Sequence, residues 1–288
     1  MIVTDRKETL VLYHSNCTDG WTAAWCAWRK FGDSAEYLPA TYQSGEVFDV
    51  AGREVYILDY CPQLPELLSY ANLAKSIVVL DHHKSAEETC AQLDYCYFDQ
   101  HRSGSGMAWD YFHSEKPRPA LVNYVEDRDL WRWALPDSRL INAALSSYDQ
   151  GDFESWCTLV NTCENSRDIL IREGEAIGRS KAIDIHNCKR NAVRSKFAGY
   201  PDVPVVNATG NTISDLLHQL APEGFFAVAW NQVSDGTFRY SMRSNGNFDV
   251  ATIAAVFGGG GHKNAAGFSS KDPPWMLEYT TAYCPPPR

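Results

Sequence analysis

The run Ile77-Val78-Val79-Leu80, followed at once by Asp81-His82-His83, constrains this chain more than any other stretch. The four apolar residues are rich in β-branching and show no polar alternation, the pattern of a strand covered on both faces within a parallel sheet. Sheets of that kind take their ligands at the carboxyl ends of the strands. One carboxylate and two imidazoles placed there are ligand types that suit first-row divalent metals. A His-His pair on an ordinary surface loop would read the same in isolation, so the rest of the chain has to decide.

Two earlier stretches repeat the pattern. Thr9 to Tyr13 reads as a buried strand that ends in His14-Ser15-Asn16-Cys17-Thr18-Asp19-Gly20, and a helix is expected from Gly20 to Phe31. His14 and Asp19 would fold an imidazole and a carboxylate around one spot. Glu54 to Asp59 is the second apolar strand closed by an aspartate, with Pro62 discouraging its continuation and a helix expected from about Pro65 to Ala74. A lone Asp at a strand end is usually a helix cap. Three strand ends carrying an acid or histidine at the same edge of one sheet make that explanation poor.

Further along, Leu93 to Asp99 is expected as another strand. Ser103-Gly104-Ser105-Gly106 leads into a helix from Met107, and its N–H groups could meet a phosphate or simply form an ordinary N-cap. Arg118 to Asp127 looks helical. Among the acids at its end Asp127 is the expected metal ligand, with Asp129 second, and either could instead pair with Arg128 or Arg132.

Ser166 to about Phe197 has no proline and reads as one long connecting helix. A second α/β pattern follows: strand Val203 to Ala208, helix Ile213 to Leu220, strand Phe225 to Asn231, strand Phe238 to Arg243 and helix Val250 to Phe257, with Asp235-Gly236 as a hairpin turn. The run Gly258-Gly259-Gly260-Gly261-His262-Lys263 lacks the ending of a Walker loop. Its glycines let the backbone approach a ligand, and the two cationic residues after them favour phosphate. The expected architecture is α/β throughout: a parallel-sheet N-terminal domain over 1–160, a helical linker over 161–200, and a smaller α/β domain over 201–288. The proline-bearing tail from Lys271 is expected to be extended.

Composition narrows the function. A net charge of −10 over 288 residues argues against a basic track for long nucleic acid. A small phosphorylated substrate is compatible with it, because ions held by a carboxylate cluster supply local positive charge. Nine cysteines without a C-x-x-C pair spell out neither a disulfide framework nor a zinc module, so most are expected as buried thiols. No apolar run suits a signal peptide or a membrane span, so a cytosolic protein without membrane contact is expected, and a homo-oligomer is compatible with the same reading.

Asp81-His82-His83 after a buried strand, the acid-bearing strand ends before it, and G-G-G-H-x-x-A-A-G-F from Gly259 to Phe268 together resemble the DHH phosphoesterase superfamily with its DHH-associated C-terminal domain. The resemblance spans most of the chain. It implies two divalent ions in the first domain, manganese in the usual case with magnesium or cobalt as substitutes, and a second domain that brings the phosphate and base of a substrate to them. It assigns His14, Asp19, Asp59, His82 and Asp127 to the metals, with Asp59 as the bridge. Asp81 and His83 support catalysis, with His262 counted beside them. Arg243, Ser244, Gly259, Gly260, Gly261 and His262 match substrate-binding positions. Substrates known in the family include short oligoribonucleotides, 3′-phosphoadenosine phosphate, cyclic dinucleotides, single-stranded DNA and polyphosphate. The expected activity is metal-dependent hydrolysis of phosphodiester bonds in small nucleotides. The alternative is a catalytically impaired nucleotide-binding sensor or sponge.

One departure stands out. The family's first motif has two acids as D-x-D, and this chain has Cys17 in the first place, in C-T-D-G. A thiolate matches manganese poorly. Cys17 could bind a softer metal, leave one ion short of a ligand, or only pack. The last is the expectation, since free cysteine is most often a small buried hydrophobe.

Overall fold

The computed structural model describes residues 6–42, 45–222 and 224–277, and the end of the proline-bearing tail lies outside them. The chain divides into two compact units, up to Gly178 and from Arg179.

The first unit begins with β1 (Thr9–His14), α1 (Thr18–Phe31), β2 (Ala35–Ala40), β3 (Glu54–Leu58), α2 (Leu64–Leu73), β4 (Ser76–Asp81), α3 (Glu87–Cys90) and β5 (Cys96–Phe98). Four helices follow: α4 (Gly104–Phe112), α5 (Ala120–Asp129), α6 (Ser138–Leu145) and α7 (Phe153–Asn165). The five strands form one sheet in the order β2-β1-β3-β4-β5, parallel at every pairing. Chain order reverses between β1 and β3, and such a switch point opens a crevice at the carboxyl ends of the strands. His14 ends β1 and Asp59 follows β3, so the two flank it.

Alternate residues of each strand feed separate cores. Val11, Leu58 and Leu80 pack with Trp21 and Trp25 of α1 and with residues of α4 to α7 such as Met107, Leu121, Ile141 and Trp156. Leu10, Leu12, Ile57 and Val79 face the other way, against Leu67 and Tyr70 of α2 and the Phe48–Val50 segment. Cover on both faces is why these strands read as unbroken apolar runs. β2 was not expected: Pro39 and Glu36 disguise it, and proline is tolerated there because β2 is an edge strand. Cys90 and Cys96 are joined by a disulfide, a pairing the spacing did not flag.

A long helix, α8 (Arg167–Arg190), holds the division between the units. The expected continuation to Phe197 is corrected. Val193–Phe197 is a strand, β6, turned back on β7 (Tyr200–Asn207) through Ala198 and Gly199, both with positive φ. Cross-strand pairing overrides helix propensity there.

The second unit continues with α9 (Ile213–Leu220), β8 (Phe226–Gln232), β9 (Phe238–Ser244), α10 (Val250–Val256), β10 (Gly260–His262) and β11 (Ala265–Ser270). Its mixed sheet runs β10-β11-β9-β8-β7-β6. Leu216 and Leu217 of α9 and Ile185 of α8 cover one face, while Ile253 and Ala254 of α10 pack with Phe226, Tyr240 and Phe268 on the other. No helix among the described residues is long and apolar enough to cross a membrane.

Candidate metal centre

Three turns bring the ligand-type side chains of the first unit together. The β1–α1 turn passes through Asn16 at φ 54° and sets Asp19 in the first turn of α1, 1% exposed. Gly20 lets that turn press on β1, because a Cβ there would stand 2.9 Å from the Cβ of His14. Asp59 sits just past β3 with φ 56°, a left-handed conformation that an aspartate tolerates better than most residues. Its amide donates to Leu80 O at 2.8 Å, which ties the bend to the neighbouring strand.

Asp59 is the hub. Its Oδ2 lies 3.4 Å from His14 Nδ1, and its Oδ1 lies 3.1 Å from His82 Nε2. The same His82 nitrogen is 3.4 Å from Asp129 Oδ2 and 3.8 Å from Asp19 Oδ2. Three sets of donor atoms result, each within 4.8 Å of one another: Asp19, His82 and Asp129; His14, Cys17 and Asp59; and Asp59, Asp81 and His83. Asp81 anchors the loop that follows β4, its Oδ1 accepting from the amides of His82 and His83 at 2.7 and 3.2 Å and lying 2.7 Å from His83 Nδ1.

Asp127, the expected fifth ligand, is not brought to this cluster. Its carboxylate accepts from the amides of Ala134 and Leu135 and so closes the turn after α5. Asp129, the second choice, takes the place, because one more half-turn of helix carries it round to His82. The serine–glycine turn before α4 is also accounted for. Ser103 is a true N-cap, accepting from Gly106 N, and Ser105 donates through both its amide and its hydroxyl to Asp19 Oδ1 at 3.1 and 2.5 Å. Those donors serve a carboxylate of the protein, which is the capping reading of the turn. Sequence reasoning missed this supporting role of Ser105. Its signal was a serine two residues into a helix that opens on two glycines.

The charge balance is that of a cation site. Burial, reinforced by the charges of Asp59 and Asp129, pushes Asp19 up to about 8, with His82 and Ser105 pulling partly back. Asp129 is raised mainly by burial. Burial also opposes the ionised form of Asp59, but His14 and His82 outweigh it and hold the carboxyl well below its usual range. For His82 burial is again overcome, here by Asp59, Asp129 and Asp19, so that the imidazole is held well above its ordinary value. The buried oxygens Asp19 Oδ2, Asp59 Oδ2, Asp81 Oδ2 and Asp129 Oδ2 have no hydrogen-bond partner. Buried polar atoms are seldom left so. Carboxylate oxygens left so, beside imidazole nitrogens, fit a divalent cation.

In the second unit the glycine run is less open than expected. Gly260, Gly261 and His262 form β10 and pair with Gly267, Ala266 and Ala265 of β11. Side chains at Gly259 or Gly261 would collide with the β11 backbone, and Gly261 has φ 137°. Strand packing therefore accounts for these two glycines. Arg243, Ala265 and His262 occupy one register row across β9, β11 and β10, so Arg243 and His262 leave the same face of the sheet, two strand spacings or about 10 Å apart. Arg243 is braced by Ser214 Oγ at 2.8 Å. Ser244 is buried, with its hydroxyl donating to Phe248 O at 2.7 Å and accepting from Asn264, so it organises the loop.

Residues 206–278 match the DHHA1 domain. Over 296 residues the chain is 29% identical to an uncharacterized protein of Acanthamoeba polyphaga mimivirus, covering 90% of this chain and 67% of that one. Among solved structures it is similar to the DHH domain of a member of the s1p family of ribosomal proteins, with TM-score 0.57, 12% identity and coverage of 96% of this chain and 86% of that one. A pGpG-specific phosphodiesterase from Vibrio cholerae is also similar, at TM-score 0.46 and 11% identity over 91% and 93% of the two chains. The second unit thus carries a DHHA1 domain over residues 206–278, and the parallel α/β sheet whose β4 ends on Asp81-His82-His83 shares the fold of a DHH domain.

Proposed function

We propose that this protein is a divalent-metal-dependent phosphodiesterase acting on small nucleotides: short oligonucleotides, linear or cyclic dinucleotides, or 3′-phosphonucleotides. The observation that carries the reading is the position of Asp59, whose two oxygens face different histidines in two adjoining donor sets. In this reading His14 and Asp59, with Cys17 or solvent, would hold one ion, and Asp19, His82 and Asp129, beside Asp59, would hold the other. Divalent ions held there would supply water activation at neutral pH and charge neutralisation on the phosphate.

The chain's own residues do the rest. Asp81 fixes the two histidines by accepting from both of their amides, so His82 and His83 enter the site already oriented. With Nδ1 of His83 on Asp81, proton transfer to a leaving oxygen falls to Nε2. Arg243 and His262, on one face of the second sheet, are the cationic and hydrogen-bonding groups for the substrate phosphate. The impaired-sensor alternative relied on Cys17 having emptied a ligand position, and the sulfur instead lies among the donor atoms.

Hydrolysis of a panel of linear dinucleotides, cyclic dinucleotides and 3′,5′-bisphosphates, with manganese and with chelator, tests the proposal. Manganese-dependent turnover of at least one class is expected. Tight binding without turnover of any would return the reading to the sensor alternative.

A further inference from the structure

We propose that Cys17 supplies a thiolate ligand to the His14–Asp59 half of the centre, making the two halves chemically unequal: one with sulfur, nitrogen and oxygen donors for zinc, cobalt or ferrous iron, the other suited to manganese or magnesium. This deepens the metal-centre reading given above and rests on it, but not on the identity of the substrate.

The first observation is placement. The Cys17 sulfur, a ring nitrogen of His14 and a carboxylate oxygen of Asp59 lie within 4.8 Å of one another. A left-handed residue, Asn16, turns the chain between His14 and Cys17, so both ends of that turn reach the same spot. The second is independent of the cysteine. Asp59 is 1% exposed, yet its Oδ2 has no hydrogen-bond partner and looks toward His14. An acceptor so buried and so placed wants a cation.

The contrast with the other thiols sets Cys17 apart from a packing role. Cys26 and Cys163 are fully buried inside the apolar core of the first unit. Cys17 is half-buried and belongs to no apolar cluster among the described residues, with carboxylates and an imidazole around it. A residue that only fills space is not put in the most polar spot of a domain. Sulfur donors shift preference toward softer cations, whereas Asp19, His82 and Asp129 supply mostly hard oxygen. On binding, the S–H bond breaks, the proton goes to solvent and the sulfur lone pair forms the bond to the metal, with no change of oxidation state.

The test uses the full chain and cobalt(II) as the probe. Wild type titrated with cobalt should show a near-ultraviolet thiolate-to-cobalt charge-transfer band beside the visible ligand-field bands. Cys17→Ser should lose the first and keep visible bands from the second half of the centre, and its zinc affinity should fall about 10- to 100-fold with manganese affinity changed much less. Cobalt bound with no charge-transfer band, or a band that survives Cys17→Ser, overturns the inference and leaves the metal centre standing. No binding of cobalt, zinc or manganese at all overturns both. Should Cys17→Ser fail to fold, X-ray absorption of zinc-loaded wild type decides the matter: sulfur at about 2.3 Å supports the assignment, and a shell of nitrogen and oxygen alone refutes it.

Discussion

A Cβ built on Gly104 would stand 2.7 Å from Oδ1 of Asp59 and 2.8 Å from its Cγ. The N-terminus of α4 is thus pressed against the hub of the centre, and only glycine leaves room for that carboxylate. Gly104→Ala should fold, since alanine favours helices, but should displace Asp59 and cut metal affinity and turnover about 10- to 100-fold, the scale of losing a group that supports a metal site. Metal titration beside far-ultraviolet circular dichroism checks both halves of this expectation.

Asp127 and Asp129 should separate cleanly. Asp127→Ala removes the acceptor for the amides of Ala134 and Leu135, and a partly buried hydrogen bond contributes about 0.5–1.5 kcal/mol, so its melting temperature should drop in the metal-free protein. Asp129→Asn should leave metal-free stability unchanged or slightly higher, because it removes a carboxylate whose ionised form burial opposes, and should weaken metal binding. Calorimetry with and without manganese distinguishes the two.

The pH dependence follows from Asp19 and His82. Both are held more basic in the folded protein than in the unfolded chain. The folded state therefore binds more protons, and metal-free stability should fall as pH rises toward and through about 8, where Asp19 ionises. Asp59 acts in the opposite sense, but only at acid pH, where its depressed value adds stability above the ordinary carboxylate range. Metal needs the carboxylate of Asp19, so uptake should release protons and strengthen as pH approaches 8. Titration calorimetry in buffers of different ionisation enthalpy counts the protons; uptake without release contradicts the account.

Arg243→Ala and His262→Ala should raise KM or lower kcat while leaving bound metal unchanged, because both residues belong to the sheet of the second unit. Metal analysis beside kinetics reads this directly. Loss of metal in either variant would place that residue among the ligands.

Much of this was legible in the sequence because buried parallel strands leave strong signals: β1, β3 and β4 were plain as apolar runs, and α9 matches its expected limits of Ile213 and Leu220. Helical phase was harder. Asp127 and Asp129 stand two positions apart on α5, and nothing local says which of them turns toward His82. β2 was hidden by Pro39, and β6 by the charges of Arg194 and Lys196, which suit an exposed strand as well as a helix. The polar surroundings of Cys17 were not legible, because its neighbours in space, His14 and Asp59, come from two different strand ends.

The most direct test of the central claim is Asp59→Ala. Equilibrium dialysis with manganese, together with turnover of whichever nucleotide the wild type hydrolyses, should show a folded protein that has lost its bound ions and essentially all activity, because a carboxylate shared between two donor sets cannot be replaced by either alone. A folded Asp59→Ala protein that keeps its metal and near wild-type turnover would contradict the account.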